Sequence, residues 1–413
     1  MAHGGSALGR HDGRTVFVPY TIPGERIRAR ITAEKGRVAF AEGVTLLDAS
    51  ADRVFPRCPH FGPGKCGRCQ WQHIDYAAQL LLKQDVLADQ LERIGGFTDV
   101  DIRPILASPV EWGYNHHMTL LGDGAGRLGF PASSPPPNRI RVPATWRGGI
   151  FPISECHIIH PELLAFYGAL ELDGIIGIEK LKLQIGTGGA PMLILTMTND
   201  DAPELLLDLP ASVNLLVGDV EPVNLVGDLY THYAVGGRDF RVMAGSYFRP
   251  NVAQLDNLVA AVLEALDLRG GEAVLDLYGG VGVFSGYIAE RAGLVTLVDS
   301  YAPALNDADE NLSGLDNVDI LEGAVEDVLS ELDEPYHAAI IDPPPDGLSV
   351  EVVDRLAALE LPRLVYVSGD PATLARDGKR LAAKGYRLAY AQPIDLAPQT
   401  YYVDAVAVFT MRK

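Results

Sequence analysis

From about residue 238 the chain alternates short, continuous apolar runs with longer stretches of helical period. The apolar runs predict strands at Ala273–Tyr278, Val295–Asp299, Val318–Leu321, Ala338–Asp342 and Leu364–Ser368, with helices between them. Such runs, apolar on both pleat faces, belong to a parallel sheet covered by helices on each side. The last two runs, Tyr386–Tyr390 and Tyr402–Phe409, have no helical stretch between them. They predict an antiparallel hairpin at one sheet edge. Toward the N-terminus the period is two: Arg26, Arg28 and Arg30 alternate with Ile27, Ala29 and Ile31. With Thr15–Val18 and Val38–Phe40 this predicts a small β-barrel of the OB kind with arginines on one face; the plain alternative is an ordinary exposed strand face. A helix is predicted over Asp75–Arg93, stopped by Gly95-Gly96. Residues 98–237 read as mixed and β-rich, broken at Pro135-Pro-Pro137 and turning at Gly188-Gly189.

The expected organisation is therefore an α/β chain with a β-rich N-terminal part. It comprises a barrel over residues 1–50, a cysteine loop and helix over 51–97, a β-rich central domain over 98–237, and a Rossmann-like domain over 238–413. At 413 residues the chain is long enough for several cores. No run of 18 apolar residues occurs, so no membrane span is expected, and the N-terminus lacks an apolar signal core. Few cysteines and no signal point to the cytoplasm. The net charge of −20 argues against nucleic acid until it is divided along the chain: residues 1–150 carry +4 and the remainder −24. Polyanion contact is expected of the N-terminal third.

The four cysteines are spaced for a soft-metal centre. Cys58-x7-Cys66-x2-Cys69 places three on one loop, and Cys156 stands far downstream. Three thiolates plus one suit a [4Fe-4S] cluster or a zinc ion, and leave no cysteine to act as a nucleophile. In the C-terminal domain, Asp276-Leu-Tyr278-Gly-Gly280-Val-Gly282 follows a predicted strand and opens a helix. Glycines there let a ligand approach the backbone. Ser285 stands where a dinucleotide fingerprint wants a third glycine or alanine. Asp276 suits the amine of S-adenosylmethionine (SAM), and Asp299, ending the next strand, suits a ribose diol; together they favour SAM over a nicotinamide dinucleotide. Asp342-Pro-Pro-Pro345 ends the fourth strand at the same edge.

These motifs, in this order, resemble the uracil-C5 RNA methyltransferases that hold an iron–sulfur cluster. The resemblance rests on Cys66-Gly-x-Cys69-Gln-Trp-Gln-His-x-x-Tyr-x-x-Gln-Leu-x-x-Lys83, Ser246-Tyr-Phe-Arg249-Pro-Asn251, the glycine turn, Asp342-Pro-Pro, and Tyr366-Val-Ser-Gly-Asp-Pro-Ala-Thr-Leu-Ala-Arg376. It covers nearly the whole chain. It implies a TRAM domain over residues 1–47, a [4Fe-4S] cluster on Cys58, Cys66, Cys69 and Cys156, and a SAM site including Arg249, Asp276, Tyr278, Gly280, Gly282, Asp299 and Asp342. It also implies an RNA substrate, rRNA or tRNA, and a monomer.

The reaction of that family needs a thiolate to add to uracil C6, because C5 is a poor nucleophile, and a carboxylate to remove the C5 proton. The family motif Ser-Cys-Asp-Pro reads here Ser368-Gly369-Asp370-Pro371. Glycine offers no nucleophile. The expected base, a glutamate, is Asp404; the glutamine that contacts SAM is Arg249; the arginine after Asp-Pro-Pro is Pro345; the arginine-rich segment after Tyr114 is Asn115-His116-His117. The residues left for catalysis are Asp342, to orient an acceptor, and Asp404, to take a proton. Two functions are open: an RNA methyltransferase whose covalent C5 chemistry is lost or altered, or a catalytically silent RNA-binding relative.

Overall fold

The structure, a computed structural model, describes residues 1–123, 126–132, 150–171, 175–198, 208–217, 222–332 and 335–412. The expected break at Pro135–Pro137 lies outside the described residues. Near the N-terminus, Ala7–His11, Arg14–Val18, Val38–Asp48 and Arg26–Lys35 form a four-stranded sheet in that order. Its first strand was not expected. It is joined to the second by Asp12-Gly13, both at positive φ (48° and 72°), the backbone that a two-residue hairpin favours. The arginine face is less basic than the alternation suggests. Arg26 pairs with Asp48 at 2.9 Å and Arg30 with Glu42 at 2.7 Å on the neighbouring strand.

The helix after the cysteine loop runs Tyr76–Gln90, capped by Asp75, which accepts from Ala77 N–H. It continues as a π turn over Leu91–Gly95 and ends at Gly96, φ 75°. Its buried stripe holds Val86 and Leu87 but also Gln79, Lys83 and Gln90. Lys83 and Asp395 are both fully enclosed and pair at 2.6 Å.

The central region is a seven-stranded sheet in the order Val223–Val226, Ser212–Leu216, Pro191–Met197, Ile178–Ile185, His117–Gly122, Leu128–Pro131, Ile150–Phe151. Only the contact between Pro191–Met197 and Ser212–Leu216 is parallel. The turn at Gly188 (φ 72°) joins two of its strands as expected.

The C-terminal sheet has eight strands, ordered Val318–Glu322, Leu294–Asp299, Ala273–Leu277, Ala338–Ile341, Arg363–Ser368, Asp404–Met411, Tyr386–Ile394, Asp101–Ile102. The first five are mutually parallel and Asp404–Met411 is antiparallel to both its neighbours. The terminal hairpin is not the outermost element, because Asp101–Ile102 adds a short parallel strand beyond it. Alternate side chains feed two cores. Val274, Val365, Val367, Val406 and Val408 pack under the helix Leu255–Leu266. Leu275, Leu277, Leu364, Tyr366 and Phe409 pack under the helices Val350–Ala358 and Pro371–Ala383 and against Leu87 and Leu91. Burial on both faces is why these strands read as unbroken apolar runs.

Lys83→Met leaves Asp395 buried without its cation and is expected to lower stability by about 3–5 kcal/mol in urea unfolding. Lys83→Met combined with Asp395→Asn removes both charges and keeps an acceptor for Tyr76, and is expected to recover part of that loss. Equal stabilities for the single variant and the parent chain would contradict this.

Candidate active site at the strand ends

The sheet order brings four separated motifs to one edge. Ala273–Leu277, Ala338–Ile341, Arg363–Ser368 and Asp404–Met411 are successive neighbours. The Tyr278 turn, Asp342 and Gly369 therefore follow the ends of adjacent parallel strands, and Asp404 begins the antiparallel one. This is the edge at which open α/β sheets bind ligands.

The turn after the first strand is tight. Tyr278 (φ 62°), Gly280 (φ 54°) and Gly282 (φ 84°) all take left-handed backbone. A Cβ on Gly279 would stand 2.6 Å from Leu297, so the turn packs too closely on the neighbouring strand for any side chain there. Asp299 braces it: one carboxylate oxygen accepts from Gly280 N–H and the other from Tyr301 N–H, both at 2.9 Å. Asp276 is fully buried. Its Oδ2 accepts from the Ser285 hydroxyl at 2.7 Å, which explains the serine at the position where a dinucleotide fingerprint wants glycine. Its Oδ1 is buried with no hydrogen-bond partner. Burial, aided by the Asp342 and Asp299 carboxylates, pushes the Asp276 carboxyl up to about 7 against the Ser285 hydrogen bond. An unpartnered, buried carboxylate oxygen is costly unless a donor reaches it. A ligand ammonium at this turn fits it.

Arg249 has a role that the sequence did not disclose. One guanidinium nitrogen donates to both oxygens of Asp342, at 2.6 and 2.9 Å. A second nitrogen lies 3.5 Å from Asp404 Oδ1. Its loop is fixed on both sides. Before it, Ser246 donates to Asp307 and Phe248 stacks on Tyr233 with ring centres 4.4 Å apart. After it, Asn251 donates to Ser108 Oγ and to Leu396 O. Burial raises the Asp404 carboxyl to about 6 while Arg249 and Lys83 pull it down. Asp342 is raised by burial and lowered by Arg249. No local sequence signal marks this role, since its two partners lie 93 and 155 residues away.

Gly369 faces Asp404. A Cβ built on it would lie 3.4 Å from Asp404 Oδ1, an ordinary contact, and its φ is not positive. Ser368 is committed elsewhere, donating to Asp370 O and accepting from Asp370 N–H. Asp370 caps the following helix by accepting from Ala372 and Thr373 N–H.

Away from this edge, Cys58, Cys66, Cys69 and Cys156 line one small cavity with Gln72 and Ile153. All four are free thiols. Gln72 accepts from Cys58 N–H, and Cys66 N–H donates to His60 O. Burial pushes every one of these thiols up, Cys156 to about 11, and the neighbouring sulfurs add to the shift at Cys66, Cys69 and Cys156. Among the described residues no three His, Cys, Asp or Glu side chains form a compact set for one ion. The donor chemistry nonetheless fits a soft centre, since four thiols around one cavity become thiolates together only with a cation among them. No described helix is long and apolar enough to cross a membrane.

Arg249→Gln is expected to move the Asp342 and Asp404 titrations upward, because it removes the cation and leaves the burial. Carboxyl-carbon NMR, assigned with Asp342→Asn and Asp404→Asn, reads this directly; a downward move in both would contradict it.

Comparison with known proteins adds the following. A TRAM-domain profile matches residues 2–44. An uncharacterized RNA methyltransferase of Streptomyces avermitilis is 34% identical, over 99% of this chain and 96% of the relative. One from Streptomyces coelicolor is 35% identical, over 99% and 90%. Among solved structures, the Pyrococcus abyssi tRNA (uracil-54, C5)-methyltransferase with S-adenosyl-L-homocysteine superposes with a TM-score of 0.71 at 24% identity, covering 98% of this chain and 97% of that one. That likeness is one of fold: a β-rich TRAM region joined to a Rossmann-like methyltransferase domain. The end-to-end similarity to the Streptomyces proteins shows that this chain belongs to the RNA methyltransferase family.

Proposed function

We propose that the chain binds RNA and methylates it from SAM at an atom that already has a reactive lone pair, a ring nitrogen or a ribose hydroxyl. The route through a covalent uracil adduct is lost. The observation that carries this reading is Gly369, which faces Asp404 with no side chain at all. Bound SAM supplies an electrophilic methyl group. The unpartnered Asp276 Oδ1 supports its amine being held at the glycine turn, and each Asp299 oxygen keeps a lone pair for a ribose hydroxyl. Asp404, raised to about 6, suits the uptake of a proton shed by the acceptor near neutral pH. Asp342 orients that acceptor. The family membership and the TRAM match support RNA as the partner, and the name of the Pyrococcus relative makes tRNA one of the two classes to test beside rRNA.

Cys58, Cys66, Cys69 and Cys156 are proposed to hold a [4Fe-4S] cluster as a structural staple, with zinc as the alternative occupant. Their shared cavity supports this. The chain is further proposed to act as a cytoplasmic monomer, divided near residues 50, 97 and 237.

A silent RNA-binding relative is the second reading. It is favoured by the Arg249–Asp342 pair, which already satisfies the carboxylate meant for the acceptor. Labelled SAM with total RNA, followed by nucleoside digestion, separates the two. Label in a nucleoside other than 5-methyluridine supports transfer. RNA binding without label supports the silent protein. Label in 5-methyluridine overturns the loss of C5 chemistry.

Gly369→Cys meets no clash at its Cβ and is expected to fold, yet to yield no 5-methyluridine, because Arg249 still engages Asp404 and Asp342. Recovery of 5-methyluridine in that variant would show the thiol to be the only missing part. Cys156→Ser is expected to lower iron content and thermal stability in anaerobically prepared protein; unchanged values for both would remove this residue from the ligand set.

A further inference from the structure

The segment 395–403 leads directly into Asp404, and the helix behind the cysteine loop holds it at several points. Lys83 Nζ donates to Asp395 Oδ1 at 2.6 Å and to Ala397 O at 3.0 Å. Asp395 also accepts from Tyr76 OH at 2.9 Å and from Ala397 N–H at 3.1 Å. One turn earlier on the helix, Gln79 and Gln399 form a reciprocal pair. The Gln79 amide donates to Gln399 Oε1 and accepts from Gln399 N–H, each at 3.0 Å. Gln399 O in turn accepts from Gln70 N–H (3.2 Å) and Trp71 N–H (3.0 Å), the two residues that follow Cys69. Tyr114 OH donates to Pro398 O at 2.9 Å.

Gln399 itself sits at φ 68°. A residue with a side chain enters that region at a cost and stays there only when its surroundings fix it. Here both its backbone and its amide are tied to Gln79. The other partner of the cleft is anchored to the same segment, since Asn251, two residues after Arg249, donates to Leu396 O.

We infer that Gln79 and Lys83 are positioning residues for Asp404: from the helix behind the cysteine loop they fix the segment 395–403 in one conformation, and that conformation sets where the Asp404 carboxylate stands beside Arg249. The inference rests on the reading of Asp404 as the proton acceptor. It makes the cysteine loop a mechanical part of the cleft, because the residues after Cys69 hold the same carbonyl that Gln79 organises. The groups acting on Asp404 are consistent with this placement: Arg249 and Lys83 favour its anion, Asp342 and Asp395 oppose it, and burial opposes it most strongly.

The test uses the full chain, prepared anaerobically, with Gln79→Leu and separately Gln399→Gly. Neither changes a charge. The glycine keeps the left-handed backbone without strain and loses only the side-chain tie, so it guards against a Gln79 variant that does not fold. Two readouts precede any assay of transfer: amide hydrogen exchange over 395–404, and the Asp404 titration by carboxyl-carbon NMR. Faster exchange over that segment in both variants, with the Asp404 titration falling from about 6 toward an ordinary carboxylate as water enters, is the expected result; Gln79→Leu also frees the Trp71 and Ile74 carbonyls, to which Gln79 donates at 3.2 and 2.9 Å. In transfer assays kcat is expected to fall ~100-fold with KM for RNA unchanged, the effect of a misplaced group. A folded variant with parental exchange and parental Asp404 titration overturns the inference. Absence of methyl transfer by the parent chain counts against the proposed function alone, since exchange and titration still report the positioning.

Discussion

Enclosed negative charge is the constraint around which this edge of the sheet is built. Asp276, Asp342 and Asp404 lie at three neighbouring strand ends, Asp276 and Asp404 buried and Asp342 half-buried. Ionised carboxylates in such surroundings need partners. Arg249 supplies one partner for two of them, Ser285 half of one for the third. Of the three, Asp276 keeps a buried oxygen, Oδ1, with no hydrogen-bond partner. The same constraint recurs in the core, where Lys83 and Asp395 neutralise each other without exposure to water.

This arrangement changes what the departures from the uracil-C5 pattern mean. Taken one by one, Gly369, Asp404, Pro345 and Arg249 are substitutions in four unconnected motifs. The geometry connects three of them. Gly369 sets no side chain against Asp404, and Arg249 extends across to Asp404 while gripping Asp342. A neutral glutamine at 249 could not balance one buried and one half-buried acid. The cation at 249 and the bare backbone at Gly369 thus border the same carboxylate, Asp404. Nothing in the structure ties Pro345 to it.

The strands of the C-terminal sheet were legible because burial on both faces leaves no polar alternation to confuse the reading, and the glycine turn because only small residues fit against Leu297. The first N-terminal strand was missed although Asp12-Gly13 marks a hairpin, since Ala7–His11 carries only one buried residue. The strand Asp101–Ile102 is two residues long, too short for any periodicity, and depends wholly on the edge it covers. The site residues were legible as positions but not as partners. The predicted strand ends put Asp276 and Asp342 at one edge and the family resemblance added Asp404, yet Arg249–Asp342 spans 93 residues and Lys83–Asp395 spans 312. Such pairs are decided by tertiary contact, which no local pattern encodes.

The long-range pairs also explain why the cysteine loop and the cleft belong to one argument. A loop of irregular backbone, such as 395–403, has few hydrogen bonds of its own and would sample many conformations. It is ordered here by side chains from a helix whose start is set by the cysteine loop and whose far end packs, through Leu87 and Leu91, into the same core as the strands bearing Asp342 and Gly369. Order in the loop and order in the sheet are therefore not independent. A centre bound by the four thiols would stiffen the segment at Gln70 and Trp71, and that stiffness would reach Asp404 through Gln399 without any change in the sheet. A structural staple placed there would be felt in the chemistry even though it touches neither substrate nor methyl donor.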